Sequence, residues 1–459
     1  MSTSGKDILL SKIRGGSPLS RGERLRLSWM LGLPAILAQL SSILMQYIDA
    51  SMVGHLGASQ AASIGLVSTS TWIMGGFCMA ASSGFSVQIA QLVGAGDFVR
   101  ARKVTRGGLV SVLVFAFFLA GIGAAISGSL PVWLGGSPDV VKDAGEYFLV
   151  FSLFLPFMQL SWTGAAMLQA TGNMKIPSLM YIGTCVLDVV FNYVFIYVAG
   201  MGVRGAALGT ALAEAVTAAA VLWYLFTRSP ELRFGLDSVH TWKPDGRTLS
   251  NAFGISGPLW LQNVIMRGAY VAATIIVAPL GTVAIAANSF AIIAESFCYM
   301  PGYGLEEAVT ALVGQSIGAR RKELAKSFAW INISLAAALM SFMAVLMYIF
   351  APQMMGLFTS DADVIALGVK CLRIEAFAEL FYAVSIVGYG ACVGAGDTLV
   401  PTVLNFASIW LVRIVLAVIL TPRYGLVGYW IAMCVELNVR GILFAIRVAG
   451  NSWMKKVLA

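Results

Sequence analysis

Long apolar runs recur twelve times along this chain with only short polar gaps between them, and that succession leaves few folds open. The runs are 28–50, 62–92, 107–128, 145–170, 177–199, 205–227, 251–279, 285–316, 328–351, 366–392, 400–421 and 427–449. Each can cross a hydrocarbon core, which takes roughly 20 helical residues. A chain that is 58% hydrophobic and 11% charged cannot cover its surface with polar groups in water, where about a quarter of residues are usually charged. In lipid an outward Leu or Val is already solvated. The expected fold is therefore an all-α membrane protein of twelve transmembrane helices.

The basic residues give an orientation. Of 30 Lys and Arg, 23 fall in the N-terminal tail, in alternate gaps and in the stretch from Arg440 onward. Lys142, Arg204, Lys370 and Arg423 fall on the other side, and Arg267, Arg373 and Arg413 lie inside spans. This positive-inside asymmetry predicts a multi-pass inner (plasma) membrane protein with both termini cytoplasmic. It also explains the net charge of +8 without a nucleic-acid partner. Residues 1–27 are polar and basic, and no small-residue cleavage pattern ends the first apolar run, so that run is read as a membrane helix and not as a signal peptide. Six cysteines without a CxxC pair and only two histidines, His55 and His240, argue against a metal site or a disulfide framework.

A shift of 224 residues lays the second half of the chain on the first. Pro34 then meets Pro258, Leu56-Gly57 meets Leu280-Gly281, Gln91 meets Gln315, and Gly94 meets Gly318. Gly164 meets Gly388, Gly172 meets Gly396 and Pro177 meets Pro401. After a one-residue slip, Gly202-Val203-Arg204-Gly205 meets Gly425-Leu426-Val427-Gly428. Self-similarity at a fixed period marks a duplicated unit. Six spans per unit is an even number, so both halves enter from the same side. A pseudo-twofold axis along the membrane normal would relate them, the parallel-repeat arrangement of many transporters. The expected organisation is an N-terminal tail 1–27, a six-helix lobe 28–227, a cytoplasmic linker 228–250, a second six-helix lobe 251–449 and a C-terminal tail 450–459.

Several motifs resemble the multidrug and toxic compound extrusion (MATE) transporters of the MOP flippase superfamily. They are Ile48-Asp49 with Met52-Val53-Gly54 and Leu56-Gly57, and the loop from Gln91 to Asp97. They continue with Gln169-Ala170-Thr171-Gly172-Asn173 through Pro177, its partner Gly394-Ala395-Gly396-Asp397 through Pro401, and Gly202 to Ala207. The resemblance implies two six-helix lobes that export cationic or amphipathic compounds, driven by entry of Na⁺ or H⁺. It also implies an N-lobe cation site at Asp49, the Asp188/Asn192 face and Thr210. Two departures stand out. One branch of the family carries a coupling acid in its seventh helix, where this chain offers Arg267. Another places Asn and then Asp four residues later in its fifth helix, where this chain reads Asp188 and then Asn192.

An ionisable side chain at mid-membrane costs ~3 kcal/mol or more, so it needs a partner, a proton or a job. The candidates are Asp49, Asp188, Glu214, Glu295, Glu306, Glu307, Glu375, Glu379 and Glu436. Asp49 follows Pro34 on the first span, and a helical proline can serve as a hinge. Asp188 and Asn192, four apart, share one face of the fifth span. With Thr210 on the sixth they offer carboxylate, amide and hydroxyl oxygens, a set that suits an ion-coupling role; a plain interhelical hydrogen bond from Asp188 is the alternative. Glu295, Glu306 and Glu307 share the eighth span with Pro301, Gly302 and Gly304. That Pro-Gly-Tyr-Gly run predicts a broken helix beside a cavity, hinged at Pro301 and Gly302, with Arg267 as an ion-pair partner for Glu295. Glu375 and Glu379 are expected on one face near the start of the tenth span, at a solvated rim, with Arg373 snorkelling. Glu436 and Arg440 read as an intrahelical pair. Substrate contact in the second lobe is assigned to Glu295, Glu306, Glu307, Glu375, Glu379 and Arg267, backed by Met and aromatic walls that suit lipophilic cations.

Rival readings are weaker. Gly94–Asp97 and Gly394–Asp397 both spell GxGD, a motif of intramembrane aspartyl proteases, but they fall in polar loops where glycines before Asp read as turns. No GxSxG, HExxH or P-loop is present, so an enzyme is not expected. A lipid-linked oligosaccharide or lipid flippase would want a cationic cavity for pyrophosphate, whereas the charges inside these spans are mainly acidic. A channel would want a continuous pore. The expectation is a monomer in membrane lipid that moves small organic cations against H⁺ or Na⁺, with H⁺ favoured and no further cofactor.

Overall fold

Lipid offers the backbone no hydrogen bonds, so a chain this apolar must satisfy its amides within helices. The computed structural model describes residues 5–235 and 241–454. Residues 236–240 of the expected linker, His240 among them, and the ends of both tails lie outside the described residues. The helices are α1 (Gly5–Arg14), α2 (Arg21–Gly54), α3 (Ala58–Gly94), α4 (Phe98–Ile126), α5 (Leu130–Trp133), α6 (Pro138–Ala170), α7 (Lys175–Tyr193) and α8 (Gly202–Thr227). They continue as α9 (Gly246–Val277), α10 (Thr282–Gly318), α11 (Lys322–Gly356), α12 (Ala362–Glu375), α13 (Glu379–Gly394), α14 (Leu399–Phe406) and α15 (Val415–Ala449). Wider π turns extend α7 over Val194–Val198 and join α14 to α15 over Ala407–Ile414.

Ten of these segments are long and apolar enough to span a membrane, and the bent pair α12 and α13 makes an eleventh. The segment Leu399–Ala449 holds 51 residues, far more than the roughly 20 one crossing needs. It is interrupted at Gly425, whose φ of 60° and ψ of −143° suit only glycine. It is two spans, and the total is twelve. Outward side chains confirm the solvent: Val114, Phe117 and Phe118 of α4 are all more than 60% exposed, which costs nothing in lipid.

Short polar devices end the helices. Ser20 and Glu23 form a capping box at the head of α2, Ser20 N donating to Glu23 at 2.8 Å and Glu23 N to Ser20 Oγ at 3.2 Å. Asp97 caps α4, accepting from Arg100 N. Its neighbour Gly96 takes a left-handed φ of 77°, so the first GxGD tetrad is a turn. Asp245 leads α9, and its bonds with Thr248, with Lys103 at 3.1 Å beside it, hold its carboxyl down at about 2. The repeat is visible here too: Gly57 and Gly281 lead α3 and α10 with φ of 125° and 91°.

By packing, the chain forms two compact units, Ser41–Trp260 and Met1–Leu40 with Leu261–Val457. Their boundaries fall inside α2 and α9, so each of these helices gives one half to each unit. Within the second unit the buried side of α10 is built from small residues, Ala284, Ala287, Ala291 and Ala294, which let helices approach closely.

Two expectations about helix breaks are corrected. The break predicted at Pro301 and Gly302 is absent, and α10 runs unbroken through Pro301-Gly302-Tyr303-Gly304. The glycines serve close packing instead: a Cβ on Gly304 would lie 2.5 Å from the Ile36 backbone nitrogen, and one on Gly302 2.7 Å from Met340 Sδ. The break lies in the tenth span, where α12 and α13 meet at 60° between Glu375 and Glu379. Pro34 sits inside α2 with that helix continuous.

Candidate functional site

In the unit Ser41–Trp260, the polar residues singled out in the sequence come together. Asp49 stands near the end of α2, Asp188 and Asn192 one turn apart on α7, and Thr210 on α8. Asn192 is the hub. Its amide nitrogen donates to Asp49 Oδ1 at 3.0 Å and to Asp188 Oδ2 at 3.2 Å. The Thr210 hydroxyl is within hydrogen-bond reach of Asp188, and so is the Asp49 carboxyl. Asp188 and Asn192 are 0% and 2% exposed, while Asp49 and Thr210 are half-buried. One oxygen each of Asp188 and Asn192 has no hydrogen-bond partner among the described residues.

Gly209 makes this arrangement possible, and nothing in the sequence pointed to it. A Cβ there would overlap Asn192 Oδ1 and lie 2.9 Å from the Asn192 backbone nitrogen, so only glycine lets α8 press against Asn192. Tyr147 of α6 stands within electrostatic reach of both aspartates. Glu214, one turn beyond Thr210 on α8, is 8% exposed and faces Ser161 and Trp162 of α6.

Two carboxyl groups in hydrogen-bond contact cannot both stay charged and bare, because like charges at that distance repel strongly away from water. A proton or a cation must stand between them. The Asn192 amide, pinned by two acceptors, holds both carboxyls at one point.

The second unit carries a different cluster. Arg413, in the π turn after α14, donates through Nε and Nη2 to Glu436 Oε2 at 3.0 and 2.6 Å. Arg440 donates through Nε to Glu436 Oε1 at 2.7 Å and through Nη2 to Oε2 at 2.8 Å. The intrahelical pair expected of Glu436 and Arg440 is thus one arm of a triad. From the sequence Arg413 is only a charge inside a span, and its sole signal there is that a buried arginine demands a carboxylate.

Three further expectations are corrected here. Glu295 lies in the field of Arg413, whereas Arg267 lies over the Tyr270 ring at 5.7 Å; the turn after α14 reaches Glu295, which spacing along the chain could not show. Glu375 and Glu379 are not at a solvated rim: both are 0% exposed, because the bend between α12 and α13 folds them inward. Nor do they share one helical face, since they flank that bend. Neither oxygen of Glu375 has a hydrogen-bond partner among the described residues, and Glu379 faces the Cys298 thiol. Arg373 is exposed, lies over the Tyr348 ring at 5.3 Å and donates to the Tyr348 carbonyl. Glu306 and Glu307 are half-buried; Gln39 donates to Glu307 at 2.9 Å, and the Glu306 side chain packs against Gly390.

Comparison with known proteins gives a consistent result. The MatE family model matches residues 34–194 and again 258–419, the second match beginning where the 224-residue shift carries residue 34. The chain is similar to the probable multidrug resistance protein NorM of Thermotoga maritima, 26% identical with 93% of each chain covered. It is also similar to the probable multidrug resistance protein YoeA of Bacillus subtilis, 24% identical with 87% and 88% covered. Among solved structures, a mutant of the Vibrio cholerae MATE transporter VcmN superposes with a TM-score of 0.89 at 18% identity, covering 95% of this chain and 99% of that one. A MOP superfamily transporter from Pyrococcus furiosus gives 0.88 at 21% identity, covering 96% and 98%. These likenesses show a shared fold.

Proposed function

This chain belongs to the MatE family, a family of multi-pass membrane transporters and not of enzymes, and from that premise we propose that it exports cationic or amphipathic organic compounds in exchange for an inward-moving cation. The relatives carry the name probable multidrug resistance protein, which supports the substrate class. The observation that carries the coupling reading is the junction at Asn192, which holds Asp49 and Asp188 together so that a proton or cation between them is required.

H⁺ is the favoured ion. Two carboxyls in contact can share one proton with no further ligand, whereas a hard cation wants about six oxygens in a fixed cage. Asp49, Asp188, Asn192 and Thr210 carry six side-chain oxygens between them, but Asn192 turns its NH2 and not its oxygen toward both carboxyls, which leaves fewer than such a cage needs. An ion drives transport only through different affinity for two states of the protein, so alternating access belongs to the same proposal. The unequal Lys and Arg count supports an inner-membrane protein with both termini cytoplasmic. A cysteine introduced at Arg233 is then expected to resist an impermeant thiol reagent in intact cells.

The test is uptake of a fluorescent organic cation into inverted vesicles under separately imposed gradients. A pH gradient alone should drive transport, and Asp188→Asn should remove it. If a Na⁺ gradient drives transport with pH clamped on both sides, and Asp188→Asn abolishes that dependence, the proton reading fails and the site is a Na⁺ site. If neither gradient drives transport, the coupling reading fails altogether.

A further inference from the structure

Away from both buried clusters, a groove of about 500 Å³ opens between the head of α2 and the first turns of α11. Arg21 and Arg24 line its mouth, with Ser327 in the second turn of α11, Trp330 and Ile331 in the third, and Leu335 in the fourth. Its charge is one-sided. Arg24 is fixed by bonds from Nη1 to Ser327 Oγ at 2.6 Å and from Nε to the Leu19 carbonyl at 3.0 Å, which leaves its second amino group unspent. Arg21 makes no bond among the described residues. No acid is among the lining residues. Glu23, two residues from Arg21, is engaged by Lys12 at 2.5 Å and by the Ser20 amide. Glu323, one turn before Ser327 on α11, is exposed and forms no ion pair among the described residues. The groove therefore presents two uncompensated guanidinium groups at the membrane-interface end of the helices and an apolar wall that continues toward the hydrocarbon.

The geometry points to a binding site for an anionic phospholipid at this groove. The phosphodiester would meet Arg21 and Arg24, the arginine fork matching phosphate oxygens. The indole of Trp330 would sit at the level of the glycerol, where aromatic side chains belong, and one acyl chain would run along Ile331 and Leu335. A free phosphate would use only the mouth of the groove, and a zwitterionic lipid only its wall. Basic pockets between helices at a membrane interface favour acidic headgroups for this reason. A lipid held there would tie the head of α2 to α11, reinforcing the Arg24–Ser327 bond within the same unit.

The experiment uses the full chain purified in neutral detergent. Native mass spectrometry counts retained lipid, and a thermal melt is run with added phosphatidylglycerol, phosphatidylcholine of the same acyl chains, or inorganic phosphate. One phosphatidylglycerol should be retained about tenfold more tightly than phosphatidylcholine, as two arginines facing an anionic headgroup supply, and only phosphatidylglycerol should raise the melting temperature. Arg21→Gln, at an unpartnered position, should erase most of that preference. Ser334→Trp, at an exposed lining residue, should block retention without changing charge. Equal retention of both lipids would overturn the site, as would equal stabilisation by inorganic phosphate or unchanged phosphatidylglycerol retention in both variants.

Discussion

The two halves of this chain share a scaffold and almost none of their buried chemistry. In the first, Asp49, Asn192 and Asp188 meet at one point, and no Lys or Arg among the described residues pairs with either aspartate. In the second, of four buried glutamates, Glu295, Glu375, Glu379 and Glu436, only Glu436 is ion-paired among the described residues, to both Arg413 and Arg440. The 224-residue shift carries Asp49, Asp188 and Asn192 onto Ala273, Val412 and Leu416, and it carries Glu295 and Glu375 back onto Thr71 and Phe151. Duplication fixed the helices and their turns, because those depend on apolar length and on glycine at left-handed positions. It did not fix the charges, because an intramembrane charge survives only where its own partners exist. One cluster joins two carboxyls with no basic side chain paired to them; the other pairs Glu436 with two arginines and leaves Glu375 and Glu379 without a hydrogen-bonded oxygen among the described residues.

Breaking the first cluster should have the largest effect. Asp188→Asn, nearly the same shape without the charge, is expected to cut gradient-driven efflux at least ~100-fold while the protein still folds, since no ion pair is left unpartnered. Undiminished coupled transport by a well-folded variant would deny the first half its role.

The second cluster should answer mainly in stability. Glu436→Gln leaves Arg413 and Arg440 facing each other with no carboxylate, which costs about 3–5 kcal/mol and should lower the melting temperature in detergent sharply. Glu375→Gln removes a carboxyl with neither oxygen bonded and should leave that temperature unchanged or raise it. If the two variants melt alike, the division between a paired and an unpaired glutamate is wrong.

A subtler break is Gly209→Ala. The added carbon would overlap Asn192 Oδ1, so the amide must swing away from one aspartate. The expected loss is about 1–3 kcal/mol of stability, together with a shift in the pH profile of transport. A stability loss with an unchanged profile would show that Asn192 is not the hub.

The smallest effect tests the duplication itself. Gly96 and its repeat equivalent Arg320 both take left-handed backbone, φ 77° and 57°, although an L side chain pays about 1 kcal/mol or more there. Arg320→Gly should therefore stabilise the second half by about 1 kcal/mol, and Gly96→Ala should destabilise the first by a similar amount, both read from thermal melts.

The sequence by itself determined the twelve spans, the duplication and the identity of the residues at the first cluster. Apolar length dictates where helices cross, a fixed period exposes the repeat, and Asp188 and Asn192 are legible because four residues make one helical turn. Only the tertiary structure decided the rest. It joined Asn192 to Asp49, 143 residues away, and Arg413 to Glu436, 23 residues away across two spans. It kept α10 whole through Pro301, where neighbouring backbone fills the space its glycines leave, and bent the tenth span between Glu375 and Glu379 with no proline or glycine there to announce it. Local pattern reports how a residue meets its solvent and its own helix. Which distant side chain it meets is set by how helices pack, and that depends on every interface at once.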